Sequence, residues 1–478
     1  VTSRPAVAAA SFGKPACIAC AGLPSALVCR FGIRAAEQIV GGARYLVLRA
    51  NFGRIGRRVE VALGKRMELD DLSQSGIRRI ADFSPYLDQL AGLAQEMGLR
   101  QRSNLVQLDR ALHSHWALGQ NNVLSWAPLD EGILVLVLPH YAIAEYTSPH
   151  AGNESPQVSP RFITELISGN RQLDFSQMQK VARLLDVQPV YIALREPLSG
   201  NKIETQIIEK MIRRYGISFI ASRAVTLFDI VGFSLLTPFE QMTQLNSLAY
   251  SLNSAHAKML EQDVGINFAR SSSGDGFYVW NRDQGLEANV NLYHFMHIVL
   301  ADNAIARRKS TSKAVPRLRA CFHVGSCYEF HQAEGLNPTM HDFIVGDVTI
   351  ELARMIDAAL PGQILVGDFL ADITIEPKGH EETQAHLDAV TFLKRAQGNL
   401  AKLAGLELSG ERVSAIKCYL TGEHLGGGEF NIRRLHIKDK HGLSRVAYNA
   451  KVNIYRDTAQ PILLGIEDRK LPQARALA

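Results

Sequence analysis

Two acidic residues of this 478-residue chain, Asp229 and Asp275, stand where their side chains could do chemistry. Asp229 closes the apolar, β-branched run from Phe219 to Phe228 and opens Ile230-Val231-Gly232-Phe233-Ser234. Asp275 stands between Gly274 and Gly276, a pattern that predicts the tip of a hairpin. Taken singly, each reads as an ordinary turn residue. Two carboxylates brought to one point, with little positive charge beside them, are what Mg2+ or Mn2+ requires, because these hard ions take oxygen ligands and keep positions open for phosphate oxygens. Gly232 would let the backbone come close to a ligand. The amides from Val231 to Ser234, running into a helix start, would favour a polyphosphate. Neither carboxylate is expected to lie in the core.

The elements around the two acids predict how they meet. The run ending at Asp229 reads as a strand. Thr237-Pro238-Phe239-Glu240 then reads as a helix start, with Thr as cap, Pro at the first helical position and Glu completing a capping box. Phe239, Met242, Leu245, Leu248, Leu252, Ala255 and Met259 follow at spacings of three and four. Two short strands meet at Gly274-Asp275-Gly276, a helix is expected around Val290–Leu300, and a further strand from Leu318 to Val324. This β-α-β-β-α-β order predicts an α+β, ferredoxin-like arrangement with helices on one face of an antiparallel sheet. In such a sheet the first strand lies beside the strand leaving the hairpin, so the two carboxylates converge.

The rest of the chain bounds the reading. Hydrophobic residues make up 46% and charged residues 21%, which excludes a largely disordered, collagen-like or disulfide-scaffold protein. Net charge is +5, but residues 1–66 hold eleven Lys/Arg against Glu37 and Glu60 alone. The remainder is therefore mildly acidic, with no electrostatic reason to prefer nucleic acid. Residues 1–66 are expected to be a poorly ordered basic extension, and residues 67–147 a mixed region in which Ile77–Ile80, Leu87–Leu90 and Leu93–Met97 recur at helical spacing and Ile133–Leu138 reads as a buried strand. Residues 148–200 read as a linker followed by two short helices, so the region before residue 218 is expected to be smaller and largely helical. The stretch 370–411, within a domain placed at 218–460, reads as a helical insertion packing on the sheet or on a partner chain. No apolar run reaches the length of a membrane span; no membrane insertion is expected. Cys17-x-x-Cys20 lacks a second pair for zinc, and six sparse cysteines suit reduced thiols in the cytoplasm.

Two resemblances enter here. Around Ser168-Gly169-Asn170 and Ala182-Arg183-Leu184-Leu185 the chain resembles the last part of a phage-repressor-like helix-turn-helix domain, over Pro160–Val187 only. A structural or dimerising helix pair is the alternative to DNA binding. The second resemblance is broader. Phe228-Asp229-Ile230-Val231-Gly232-Phe233-Ser234 and Ser273-Gly274-Asp275-Gly276, whose acids lie 46 residues apart, resemble the two metal motifs of class III nucleotide cyclases, the adenylate and guanylate cyclase homology domain. Arg319-Ala320-Cys321-Phe322-His323-Val324-Gly325, Gly346-Asp347, Arg354-Met355 and Pro361–Val366 resemble that family's later elements in order. The resemblance implies that Asp229 and Asp275, with the carbonyl of Ile230, bind two divalent cations, Mn2+ or Mg2+. It implies that Gly232, Phe233 and Ser234 meet phosphate, that Arg354 stabilises charge in the transition state, and that Lys438, in Ile437-Lys438-Asp439-Lys440-His441-Gly442, contacts the phosphates. A solvated charge cluster is the plain alternative for Lys438. Sites of this family are built from two protomers, so a homodimer is implied, with a nucleoside triphosphate as substrate.

The departures from the family pattern matter as much. The position one helical turn before Arg354, usually Asn, is Ile350. The base-reading positions are Ser271 and Phe343, with Asp342 next to the latter, where purine cyclases carry Lys or Glu and then Asp or Cys. A purine-reading site needs fixed donors and acceptors there. This pattern resembles the bacterial pyrimidine cyclases of Pycsar anti-phage defence more than purine cyclases. The implied activity is conversion of UTP, or CTP, to cyclic UMP or cyclic CMP that acts on a separate effector. The open alternatives are an adenylate cyclase, a cyclase-like nucleotide-binding module without turnover, and a nucleotide-regulated transcription factor.

Overall fold

The computed structural model describes residues 34–40, 43–51, 58–63, 97–147, 160–333, 340–375, 383–426, 429–438 and 442–471. Two parts of the chain, Val1–Asp82 and Phe83–Ala478, are each compact. In the first, strands β1 (Arg34–Val40), β2 (Ala43–Asn51) and β3 (Arg58–Leu63) form an antiparallel meander. These strands fall inside the segment expected to be a poorly ordered extension. Cys17 and Cys20, the helical spacing from Ile77 to Gln95 and the linker 148–159 lie outside the described residues.

The second part begins with helix α1 (Leu99–Trp116), strands β4 (Asn121–Leu129) and β5 (Gly132–Pro139), helices α2 (His140–Thr147), α3 (Pro160–Ser168) and α4 (Phe175–Leu184), strand β6 (Val190–Ala193) and helix α5 (Lys202–Arg214). β4, β5 and β6 form an antiparallel sheet beside these helices, which hold most of the regular structure described before residue 218. The run Ile133–Leu138 forms β5, as its unbroken apolar character predicts. The helix-turn-helix-like pair α3 and α4 lays Ile163, Ile167, Met178, Val181 and Ala182 against Leu124, Leu136 and Leu138 of this sheet. Between the two helices, Arg171 is fully buried. It donates from Nη1 to the Leu124 carbonyl at 2.8 Å, and from Nη2 to the carbonyls of Ile167 at 3.0 Å and Ile217 at 2.6 Å. A guanidinium with backbone acceptors on three segments ties the helix pair to the sheet and to the strand that follows.

That strand is β7 (Ser218–Ile230), the centre of the main sheet. After it come α6 (Pro238–Leu260), β8 (Phe268–Ser272), β9 (Gly276–Asn281), α7 (Leu286–Lys309), β10 (Leu318–Ala333), β11 (Met340–Val345), α8 (Asp347–Ala358) and β12 (Ile364–Gly367). Then follow β13 (Leu370–Ile375), β14 (Thr383–Asp388), α9 (Ala389–Asn399), β15 (Glu407–Leu408), β16 (Glu411–Leu420), β17 (Gly422–Gly426), β18 (Glu429–Ile432), β19 (Arg434–Lys438), β20 (Ser444–Arg456) and β21 (Ile462–Leu464). The main sheet runs β15-β16-β20-β12-β10-β7-β9-β8, with β11 beside β10 and β19 and β21 beside β20. Its β10-β7-β9-β8 portion is all antiparallel and has the ferredoxin-like order expected from the sequence.

Pleating divides β7 between two cores. Ala224, Phe228 and Ile230 face α6 and α7, packing with Leu248, Leu252, Val290 and Phe295. Val225 and Leu227 face the opposite side, with Cys321, Leu352 and Met355, under α8. The stretch expected as a helical insertion is a hairpin, β13–β14, followed by α9, whose Phe392, Leu393 and Ala396 join the first core. His386 and Leu387, expected on a helix, lie in β14 because the alternation of buried and exposed residues there has period two.

Candidate active site

Asp229 is the penultimate residue of β7 and pairs in register with Gly276 on one side and Arg319 on the other. The hairpin that carries Asp275 can approach only because residue 276 is Gly. A Cβ there would stand 1.9 Å from the Phe228 carbonyl oxygen, so any side chain would push the tip off β7. The Ile230 amide donates to the Asp275 carbonyl at 3.0 Å, which locks the tip to the strand end. Asp275 thus precedes the residue paired with Asp229, and its charge acts on the Asp229 carboxyl. The structure therefore brings together the two acids that the sequence singles out.

Their electrostatics differ from expectation. Asp229 is only 4% exposed, so the expectation that neither carboxylate lies in the core is wrong for this residue. Burial pushes its carboxyl up to about 6, opposed by Arg319 and reinforced by Asp275. Asp275, at the hairpin tip, stays half-buried and accepts from the Ser273 hydroxyl at 3.2 Å. Arg319 Nε donates to Asp229 Oδ2 at 2.6 Å, and its Nη1 donates to the Ala359 carbonyl at the end of α8 at 3.0 Å. In the sequence, Arg319 stands out only as part of a strand motif. Its role as counter-ion follows from the β7–β10 register, which sets Arg319 opposite Asp229, and no feature local to residue 319 signals it.

The donor set is oxygen only, and two neighbouring carboxylates, one of them desolvated, repel unless a proton or a cation stands between them. A divalent cation fits that demand. With Arg319 already holding one oxygen of Asp229, the pair carries too little charge for two such ions alone. A second ion would need the charge of a bound polyphosphate.

Of the other sequence-assigned residues, Ile230 is buried and follows Asp229 directly. Gly232 has φ +73°, the left-handed conformation that Gly adopts without strain. Phe233 and Ser234 open a single turn, Phe233–Leu235, which separates β7 from α6. The expectation that the amides of Val231–Ser234 run into a helix N-terminus is corrected. The Val231 amide donates to the Arg317 carbonyl at 2.9 Å, and the first turn of α6 is closed by its own capping box between Thr237 and Glu240. Ser271 sits on β8 opposite Tyr278, while Phe343 sits on β11 with its ring stacked on Phe330 at 5.5 Å. Phe343 lines a cavity with Arg282 and Asp342 that Ser271 does not line. Arg354 is half-buried on α8, in line with the 51%-exposed Ile350 one turn earlier.

Lys438 ends β19, exposed, and pairs with Ser444. Tracing the register from Ser444 to Ala450, Ile364, Ala320 and Phe228 places it seven residues from Asp229 along the strand direction, about 20 Å, and four strands away across the sheet. One chain does not bring Lys438 to the carboxylate pair.

No family model matches the chain, and no curated protein matches it by sequence. Solved structures do match. The guanylate cyclase domain of RhGC from Catenaria anguillulae, in complex with GTP, is 12% identical, with 50% of this chain and 100% of that one covered and a TM-score of 0.29. The adenylyl cyclase CyaB from P. aeruginosa is 17% identical, with 36% and 96% covered and a TM-score of 0.24. A bacterial light-regulated adenylyl cyclase is 12% identical, with 39% and 100% covered and a TM-score of 0.23. Identities and scores this low add nothing to what the strand order and carboxylate geometry say by themselves. No described helix is long and apolar enough to cross a membrane.

Proposed function

We propose that this chain is a class III nucleotide cyclase that converts a pyrimidine nucleoside triphosphate, UTP before CTP, to the 3′,5′-cyclic nucleotide and pyrophosphate. The observation that carries the reading is the meeting of Asp229 and Asp275 at the end of the central strand, made possible by Gly276. In the reaction a bond forms between the ribose 3′-oxygen and the α-phosphorus. The bond from that phosphorus to the bridging oxygen breaks, pyrophosphate leaves with the electron pair, and the hydroxyl proton is released. Asp229, Asp275 and the Ile230 carbonyl would hold the divalent cations, which would supply neutralisation of the triphosphate and acidification of the 3′-hydroxyl.

The chain's own residues do the positioning. Arg319 opposes the upward push that burial gives the Asp229 carboxyl and fixes its orientation. The turn from Gly232 to Ser234 offers the backbone closest to a phosphate. Arg354 answers charge developing on the reacting phosphate. Since Lys438 lies more than about 20 Å from the carboxylates within one chain, its contact with the phosphates would come from a second copy. Exposed Leu235, Phe239 and Met242 near the carboxylate end, and Ile350 on α8, offer apolar surface for that copy. This supports a homodimer with composite sites. Phe343 in place of a hydrogen-bonding residue supports a small, pyrimidine-sized pocket, and a diffusible cyclic product acting on a separate effector fits a role in anti-phage defence.

The test incubates purified protein with each of the four labelled ribonucleoside triphosphates and Mn2+ and resolves the products. Cyclic UMP or cyclic CMP is expected. Cyclic AMP alone would move the assignment to a purine cyclase. Tight nucleotide retention without any cyclic product would leave a binding module, the reading that Ile350 favours.

A further inference from the structure

On the opposite face of the sheet from Asp229, a cleft of about 660 Å³ opens between α7, the start of β12 and β21. We propose that this cleft is a second, anion-binding site that takes a phosphate-bearing small molecule of nucleotide size. Its volume is that of a nucleotide pocket. Four cations, Arg307, Arg317, Lys451 and Lys470, line it against one carboxylate, Glu467.

The cleft floor is what distinguishes it from a basic surface patch. Lys451 is only 8% exposed, and the carboxylate it pairs with, Glu467, stands 3.9 Å away, beyond hydrogen-bond length. Glu467 is itself claimed by Arg469 at 2.5 Å, and its carboxyl is held down by Arg469, Lys451 and Lys470. Beside Lys451, Asn303 is 4% exposed, and its Nδ2 has no hydrogen-bond partner. Cationic donors predominate here: the ammonium of Lys451 at the floor and the guanidinium and ammonium groups of Arg307, Arg317 and Lys470 at the rim, against the single carboxylate of Glu467. Phosphate oxygens are acceptors only, so the match is chemical as well as electrostatic. Part of the wall is apolar, Leu318, Leu360, Pro361 and Ile466, and suits the non-phosphate part of such a ligand.

The cleft shares one residue with the carboxylate site. The side chain of Arg317 lines the cleft and donates to the Pro361 carbonyl at 3.1 Å, while its own carbonyl accepts the Val231 amide in the turn after Asp229. A ligand that holds Arg317 also holds that turn.

The experiment measures binding directly, by calorimetry on the full chain in EDTA, with inorganic tripolyphosphate and with ATP as probes. Binding to wild type is expected with both, tighter with ATP because of the apolar wall. The rim variant Arg307→Ala/Lys470→Ala and the floor variant Lys451→Met are each expected to weaken it by about tenfold or more, one charge-assisted bond's worth. Asp229→Asn is expected to leave it unchanged. Absence of binding at about 1 mM probe, a millimolar limit of useful affinity, would overturn the proposal. Loss of binding in Asp229→Asn with none in the rim variant would also overturn it, by returning the anion to the carboxylate end. Equal affinity for the two probes would remove the nucleotide-sized part. None of these results depends on turnover, so the cyclase reading stands or falls separately.

Discussion

Replacing Asp229 by Asn should make the protein more stable and inactive, and the stability gain should depend on pH. The carboxyl is almost fully buried and lies near 6, against 3.8 for an unperturbed Asp. Because the folded-state value is raised, the fold holds this proton more tightly than the unfolded chain does. Asp229 therefore costs the fold little in acid and becomes a growing penalty as pH rises from about 4 through 6, constant above. A carboxyl raised this far costs the fold about 3 kcal/mol near neutral pH, and roughly half of that near pH 5. The attraction of Arg319 and the repulsion of Asp275 are already contained in that cost. Asn has the same shape, keeps an acceptor for Arg319, and carries no charge to desolvate. Urea unfolding of wild type and Asp229→Asn at a series of pH values should give curves that nearly coincide near pH 4 and separate by about 3 kcal/mol near pH 7. Equal stability at neutral pH, or a difference that does not grow between pH 5 and 7, would refute a carboxylate held in the fold at the cost of stability. Such a trade is what a site arranged to hold cations requires.

Asp275→Ala, at the half-buried tip, should abolish product formation while shifting stability by no more than about 0.5 kcal/mol, read from the same unfolding curves. Arg354→Ala should lower kcat by about 10²–10³-fold with little change in KM, if the guanidinium answers charge that develops only in the transition state; a purely structural role would lower the unfolding midpoint instead. Arg171→Met leaves the carbonyls of Leu124, Ile167 and Ile217 without their donor, and should cost about 3 kcal/mol or more, seen as a lowered thermal midpoint and faster proteolysis between α3 and α4.

Local signals in the sequence determined much of this protein. The capping box at Thr237, the three-and-four spacing through α6, the hairpin flanked by Gly274 and Gly276, the unbroken apolar run of β5 and the mostly apolar run of β7 are each written within a few neighbouring residues. Their order alone implied the antiparallel core in which Asp229 and Asp275 become neighbours. Where the expectation was a helical insertion after 370, a short strand such as β14 carried too few residues for its period to outweigh nearby helical patterns.

Tertiary structure alone decided how deeply Asp229 is sunk and which residue balances it. Burial is a property of everything packed over a strand end, and the partner, Arg319, lies 90 residues away and is chosen by the β7–β10 register. It also decided that Val231 spends its amide on Arg317, that Phe343 already has a stacking partner in Phe330, and that Lys438 stands at the far end of the sheet. Chain-distant contacts of this kind leave no trace in local spacing, because neither residue type nor periodicity encodes which strand end a side chain will meet.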